Sequence, residues 1–429
     1  MNLARQIEQY LPQQLLELVK DISGQAAERG EKVYLVGGIV RDLLLGYPNF
    51  DLDLVVEGDA VKLAQQVAET SQARLLAHRR FGTAKLRYEK FTLDLATARK
   101  ETYARPGALP AVTPGAIKDD LIRRDFSINA MAVSLASNDY GELVDPHRGK
   151  SDLEHRLIRI LHPGSFSDDA TRILRGVCYE QRFGFEFEAQ TARLLKRDIT
   201  MLDTISGDRI RHELEHIFEE NRPELVIKRL DELGVLQRIN PSLKGDSWIA
   251  EKFDRARHLK KPAQLPSLYF CLLIYSFSER DIERFLARLN IPAKLSRAMR
   301  DTLRLKARLP LLDKSSLKPS EIYYLLREYE LLAIQANAIA SDEKEGTPSL
   351  IVHHHLQLFL TKLRYVRTSL DGEELKRLGI SAGPEMGKVL RILHKAKLDG
   401  EVRTRADEKN LALSLKARDF PTDPEPPWE

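Results

Sequence analysis

A pair of glycines followed closely by a pair of aspartates sets the tightest limit on how this chain can fold. In Val33-Tyr-Leu-Val-Gly-Gly-Ile-Val-Arg-Asp42 an apolar strand runs into Gly37-Gly38 and then a short helix, which Gly46 closes. Phe50 to Val56 reads as a second strand. Alternation along it puts Asp51 and Asp53 on one face and Leu52, Leu54 and Val56 on the other. Two carboxylates this close repel each other unless a cation lies between them. Mg²⁺ prefers oxygen ligands and keeps positions open for phosphate. Gly38, lacking a side chain, lets backbone N–H groups approach a phosphate at a helix N-terminus. A phosphate cradle beside a metal-binding Asp pair points to nucleotidyl transfer. Each half also has an ordinary reading. Asp-x-Asp is common in solvated loops and caps, and the glycine pair lacks the G-x-G-x-x-G of a dinucleotide turn.

Further pieces lie downstream. An amphipathic helix is expected from Ala60 to about Thr70, with short strands at Arg74–Leu76, Thr83–Tyr88 and Phe91–Ala96. Asp94, on the last of these, is a candidate third metal carboxylate. Residues from Glu101 to Lys118 read as a long loop, and Ile128–Leu135 and Leu143–Val144 as closing strands. Between them, Arg123 and Arg124 suit phosphate oxygens, while Asp125 and Asn129 suit a sugar hydroxyl; a surface Arg–Asp salt bridge is the plainer reading. Beyond Ser151 strand signals almost vanish. Ser167 is a candidate N-cap of a helix on which Asp169, Arg172 and Arg175 share the face opposite Ile173, Leu174, Val177 and Cys178. Asp and Arg so spaced can read a base edge, or merely pair along the helix.

Charge, cysteines and hydropathy narrow the class. The net charge of the 429-residue chain is only +4. Its distribution says more: Arg74 to Lys90 carries six Lys/Arg against one acid, and Lys362 to Asp419 fourteen against nine. Basic clusters so spread suit a long polyanion, or else are solvated faces. Two cysteines, Cys178 and Cys271, build neither a disulfide framework nor a cysteine zinc site, which fits a reducing cytoplasm. No apolar run is long enough for a membrane span, and Met1 to Tyr10 lacks a signal-peptide core. His212-Glu-Leu-Glu-His216 matches H-E-x-x-H, but a helix buried through Ile210, Leu214, Ile217 and Phe218 leaves both histidines to water. His353-His-His355 suits a basic surface better than a metal.

Taken in order, these motifs resemble the class II tRNA nucleotidyltransferase and bacterial poly(A) polymerase family of the DNA polymerase β superfamily. Val36-Gly-Gly-Ile-Val-Arg-Asp42 with Asp51-Leu-Asp53 is similar to its first motif. Leu93 to Tyr103 resembles the strand of the third carboxylate, Arg123 to Ala132 the ribose motif, and Asp145-Pro-His-Arg-Gly149 the motif after it. Asp168-Asp-Ala-Thr-Arg172 resembles the amino-acid template that selects the incoming base, and Lys376 to Lys388 a turn in the tail. Two positions depart from the pattern: Asp168 replaces the usual Glu, and Cys178 stands where an Arg is frequent.

The resemblance implies an α+β fold. A polymerase β-like nucleotidyltransferase head with a mixed β-sheet (1–150) precedes an all-α neck and body (151–260) and a helical tail (261–429). It implies two Mg²⁺ ions on Asp51, Asp53 and Asp94. The nucleotide contacts it implies are Gly37, Gly38, Arg41, Asp42, Arg123, Arg124 and Arg175 toward the triphosphate end, Asp125 and Asn129 near the ribose, and Asp169 and Arg172 at the base. Substrates would be CTP, ATP and the acceptor end of tRNA, with no DNA and no membrane. Addition of the whole CCA end is the favoured product. CC or A alone and a poly(A) tail are the alternatives, the last with slight support from Arg79-Arg-Phe81. A non-catalytic RNA-binding protein on the same fold is the reading from another class.

Overall fold

The computed structural model describes residues 1–78, 81–102, 111–259, 264–341 and 350–416. The chain forms two compact units, Met1–Gly245 and Asp246–Glu429. The expected head, 1–150, and most of the helices after it thus fall in the first unit, and residues 260–263, at the expected 260/261 boundary, lie outside the described residues.

The first unit is built on a seven-stranded sheet in the order β3-β4-β5-β2-β1-β8-β9. Its strands are β1 (Lys32–Val36), β2 (Asp51–Glu57), β3 (Arg74–His78), β4 (Thr83–Tyr88), β5 (Phe91–Thr97), β8 (Ala132–Ser134) and β9 (Leu143–Val144). Every pairing is antiparallel except β2 with β5. Helices α1 (Ala4–Tyr10) and α2 (Gln13–Glu28) precede the sheet. α3 (Gly38–Leu45) and α4 (Ala60–Ser71) fill the gaps between its first strands. Asp59 caps α4 by accepting from the Lys62 N–H, and Gly46 ends α3 in the left-handed conformation. α4 packs on β3, β4 and β5 and so seals one face over Ala84, Leu86, Leu93 and Leu95. On the opposite face Tyr34, Val36, Val55 and Ala132 pack with Ile117 and Leu121 of α5 (Ile117–Ile122). That cover ends beside the aspartates.

Two expectations from the sequence are corrected here. The span 101–118 is not one loop. β6 (Arg99–Thr102) and β7 (Ala111–Pro114) pair as a hairpin and α5 starts at Ile117, while 103–110 lie outside the described residues. The Pro- and Gly-rich composition hid strands that pair only with each other. Ile128–Leu135 is only partly strand, since Ser127–Asn129 is a 3₁₀ turn before β8. Beyond Ser151, where strand signals almost vanish, the described residues hold one short parallel pair, β10 (Leu157–Ile158) with β11 (Glu186–Phe187).

α6 (Gly149–Glu154) follows, capped by Asp145, which accepts from the Gly149 and Lys150 N–H groups. The rest of the unit is helical, from α7 (Ser165–Asp168), α8 (Thr171–Phe183) and α9 (Ala189–Asp198) to α10 (Gly207–Phe218), α11 (Pro223–Glu232) and α12 (Val235–Ile239). As the periodicity predicts, α10 buries Ile210, Leu214, Ile217 and Phe218, and its histidines face solvent beside Glu215 and Glu219.

The described part of the second unit is helical throughout. One core gathers Leu305, Ile322, Leu326, Ile334, Leu356 and Phe359; another gathers Leu370, Leu375, Val389, Leu393 and Ala412. His355 is buried, with its ring against the Leu312 carbonyl, so one of the three histidines expected at the surface belongs to this core. Gly379 and Gly383, both with positive φ, turn the chain between the helices Gly372–Arg377 and Pro384–Leu398. No described helix is long and apolar enough to cross a membrane.

Candidate active site

The sheet register builds the acidic corner. Asp53 pairs directly with Asp94 across the parallel β2–β5 ladder, and Asp51 with Thr92, so all three carboxylates stand on the face that α4 leaves open. Asp51 and Asp53 are exposed, whereas Asp94 is part-covered and its carboxylate lies 3.0 Å from Lys85 Nζ on β4. As the chain stands, no three His, Cys, Asp or Glu side chains among the described residues are close enough to grip an ion.

The donor set nonetheless suits a hard divalent cation. Surrounding protein raises the Asp53 carboxyl to about 6, with Asp51 and Asp94 adding to the rise and Arg124 and Lys85 opposing it. A carboxylate whose charge is opposed by the surrounding protein and by two like charges, in a corner of oxygen donors, is what Mg²⁺ would relieve.

Gly37 and Arg124 form the next layer. Gly37 sits at φ +74° and ψ −131°, a conformation open only to glycine, and its N–H donates to the Met131 carbonyl. A side chain there would lie 2.9 Å from Arg124 Nη1 and 3.8 Å from Asp53 Oδ2. The space above Gly37 therefore separates the Arg124 guanidinium from the Asp53 carboxylate. Gly38 is an ordinary first helical residue, and a Cβ on it would meet only Arg41 Nη2 at 3.5 Å. Of the two glycines, Gly37 is thus the one whose missing side chain leaves room for Arg124 beside Asp53. Arg124 is held by Asp120 Oδ2 at 3.0 Å, and Arg123 by Asp120 Oδ1 at 2.6 Å and Glu101 at 3.3 Å. The wholly buried Asp120 aims both arginines.

A polar chain then runs inward from this corner. The Asp51 N–H donates to Asn49, whose amide donates to Asp42, and Asp42 accepts from Arg41. Arg41 reaches Asn129 Oδ1 at 2.8 Å, and Asn129 donates to Asp125. Asp125 meets Arg175 at 2.7 Å. Burial opposes the charge on Asp125, but Arg175, Asn129 and the Phe126 N–H outweigh it and hold the carboxyl below its usual range. Arg41 is itself buried, its guanidinium 4.6 Å from the Phe183 ring centre and 5.7 Å from that of Tyr179. It braces the loop before β2 rather than lying open to a triphosphate.

The base-reading candidates are placed differently from the helical-wheel expectation. Ser167 lies inside α7 and caps nothing, and the N-cap of α8 is Ala170. Asp169 precedes the helix in extended conformation, accepting from Thr171 with one oxygen and from Arg209 at 2.6 Å with the other. Arg172 turns inward and donates to the carbonyls of Ser165 and Arg123, which ties it to the Arg123–Arg124 corner. A short interruption between α7 and α8 broke the single helix that the periodicity predicts. Four participants went unnoticed in the sequence: Asn49, Lys85, Asp120 and Arg209. Only Lys85 had a signal, its alternation with Thr83 and Arg87 on β4.

The fold and this corner define a polymerase β-like nucleotidyltransferase, and comparison with known proteins agrees. The model of the Poly A polymerase head domain matches residues 33–159, and that of the probable RNA and SrmB-binding site of polymerase A matches 184–246. An A-adding tRNA nucleotidyltransferase of Halalkalibacterium halodurans is 34% identical, covering 92% of each chain. The A-adding enzyme of Geobacter sulfurreducens is 33% identical over 95% of this chain, which spans 48% of that protein's length. A CC-adding enzyme of Deinococcus radiodurans is 30% identical over 92% of both. Among solved structures, the Thermotoga maritima CCA-adding enzyme complexed with tRNA superposes with a TM-score of 0.74 at 30% identity, over 96% of this chain and 98% of that one. A CCA-adding enzyme complexed with ATP gives 0.78 at 29% identity, over 97% and 98%. The chain belongs to the class II tRNA nucleotidyltransferase family.

Proposed function

We propose that this chain adds nucleotides to the 3′ end of tRNA without a nucleic-acid template, and that the nucleotide it adds is A. The observation that carries the transfer reading is the register of Asp53 against Asp94 beside the gap between Gly37 and Arg124. The reading of A rests on three relatives, 33–34% identical over 85–95% of this chain, that are named A-adding enzymes. Completion of the whole CCA end is the second reading, supported by the fit to a CCA-adding enzyme holding ATP.

Asp51, Asp53 and Asp94 would hold two Mg²⁺, which when bound neutralise phosphate charge and acidify a nearby hydroxyl. The rest falls to the chain itself. The backbone N–H groups at the start of α3 and the guanidiniums of Arg124 and Arg123 hold the triphosphate, and Asp120 fixes their direction. Asp125 and Asn129 face the ribose. Asp169, steadied by Arg209, presents an acceptor to the base edge, Arg172 turns inward and ties that segment to the Arg123 backbone, and Arg175 secures Asp125. The bond from the RNA 3′-oxygen to the α-phosphorus forms as the bond to pyrophosphate breaks, and the hydroxyl proton passes to solvent.

The test offers tRNAs ending before the first C, after CC, and complete, each with CTP or ATP alone, and sequences the extended ends. One A on the CC-ended tRNA and nothing elsewhere supports the reading. C added to the shortest tRNA moves it to CC or CCA addition, and long A tracts to poly(A) synthesis.

A further inference from the structure

We propose that the open face of β3 and β4 is the track on which the last nucleotides of the acceptor RNA lie; this rests on the transfer reading above. Residues paired directly across a sheet point to the same side. Two rows therefore run from the free edge to the acidic corner. One is Leu76, Lys85, Asp94, Asp53; the other is Arg74, Arg87, Thr92, Asp51. His78 flanks them opposite Thr83. α4 closes the reverse face, whereas Arg74, Leu76, His78 and Arg87 are exposed, Leu76 at 53%. Three inter-strand steps separate β3 from β2, about 14 Å of surface at the usual strand spacing.

The direction follows from the chemistry of displacement. In an in-line transfer the attacking oxygen and the departing pyrophosphate lie on opposite sides of the phosphorus. The pyrophosphate end is held at Gly37 and Arg124, where β1 passes into α3, on one side of β2. The attacking RNA end must then arrive from the other side, over β5, β4 and β3. That is where the basic side chains stand, with an exposed leucine between them to meet a sugar or base. A chain with phosphates at each step and apolar faces between them matches this surface.

A basic edge strand has another use, to repel edge-to-edge pairing. Charge reversal separates the two roles, since an acidic edge still repels pairing but cannot hold phosphate. The test uses the full chain carrying Arg74→Glu and Arg87→Glu together, with Lys62→Glu on α4, over the reverse face, as control. Initial rates are measured against acceptor tRNA at saturating ATP. ATP binding without RNA and the melting temperature are followed in parallel.

The expected result is a KM for tRNA raised about tenfold or more, with a log KM against log salt slope shallower by about 1.4, or 0.7 for each single-strand phosphate that is no longer neutralised. ATP binding and melting temperature stay with the wild type, and Lys62→Glu behaves as wild type. An unchanged KM, or an equal rise in Lys62→Glu, overturns the track while leaving the transfer reading intact. A wild type that transfers no nucleotide overturns both.

Discussion

Gly37→Ala isolates the physical feature on which the proposed phosphate corner depends. At φ +74° and ψ −131° any side chain is strained, and such conformations cost about 1–3 kcal/mol. The new methyl would also stand 2.9 Å from Arg124 Nη1, inside any real contact distance. Arg124 is the movable partner, but Asp120 holds it at 3.0 Å, so relief at Gly37 means loosening that ion pair. At about 2–4 °C per kcal/mol for a unit of this size, the melting temperature should fall by roughly 4–8 °C. The displaced guanidinium should raise the KM for ATP about tenfold, the equivalent of one charge-assisted hydrogen bond.

Gly38→Ala is the matched control. Its Cβ makes one ordinary contact at 3.5 Å, and alanine favours a helix over glycine, so its melting temperature should hold or rise slightly. Differential scanning calorimetry and steady-state rates at saturating tRNA read both. A Gly37→Ala protein that melts and turns over as wild type, or a Gly38→Ala protein that loses as much stability, would refute the role given to Gly37.

Three other predictions concern separate parts of the chain. Arg209→Met removes the 2.6 Å partner of Asp169, so discrimination between ATP and CTP should relax by about tenfold in the ratio of kcat/KM values, with melting temperature little changed. Glu408 is buried; burial opposes its charge, but Lys397 and the Leu370 and Ser369 N–H groups prevail and hold its carboxyl below the usual range. A depressed carboxyl stabilises above its unfolded pKa of about 4.3 and loses that contribution as pH falls through its folded value. Urea melts of Glu408→Gln should therefore lie well below wild type at pH 7 and converge with it toward pH 3. The thiols of Cys178 and Cys271 are buried, which pushes both up to about 12, so iodoacetamide at pH 8 should label neither in the native protein and both in urea, as read by mass spectrometry.

How much of this was legible in the sequence depended on the range of the physics. Alternation and turn residues act within a few positions, so β2, β5, the closing of α3 at Gly46 and the buried stripe of α10 could be read directly. The shared face of Asp51 and Asp53 was legible for the same reason. Register between strands is a tertiary property. That Asp94 lies beside Asp53 could be expected only from resemblance, and that Lys85 lies beside Asp94 could not be read at all. Asp120 escaped notice, because nothing local says that its two oxygens will be divided between two arginines. Arg209 meets Asp169 from forty positions away on another helix. The hairpin β6–β7 escaped because its composition is that of a loop and its pairing is internal.

The central claim is that Asp53, in register with Asp94, supports nucleotide transfer. The most direct measurement is single-turnover incorporation of ATP into CC-ended tRNA by Asp53→Asn, with tRNA binding measured on the same preparation. Incorporation should fall by at least about a thousandfold, with tRNA affinity near wild type. Incorporation within about tenfold of wild type would contradict the claim.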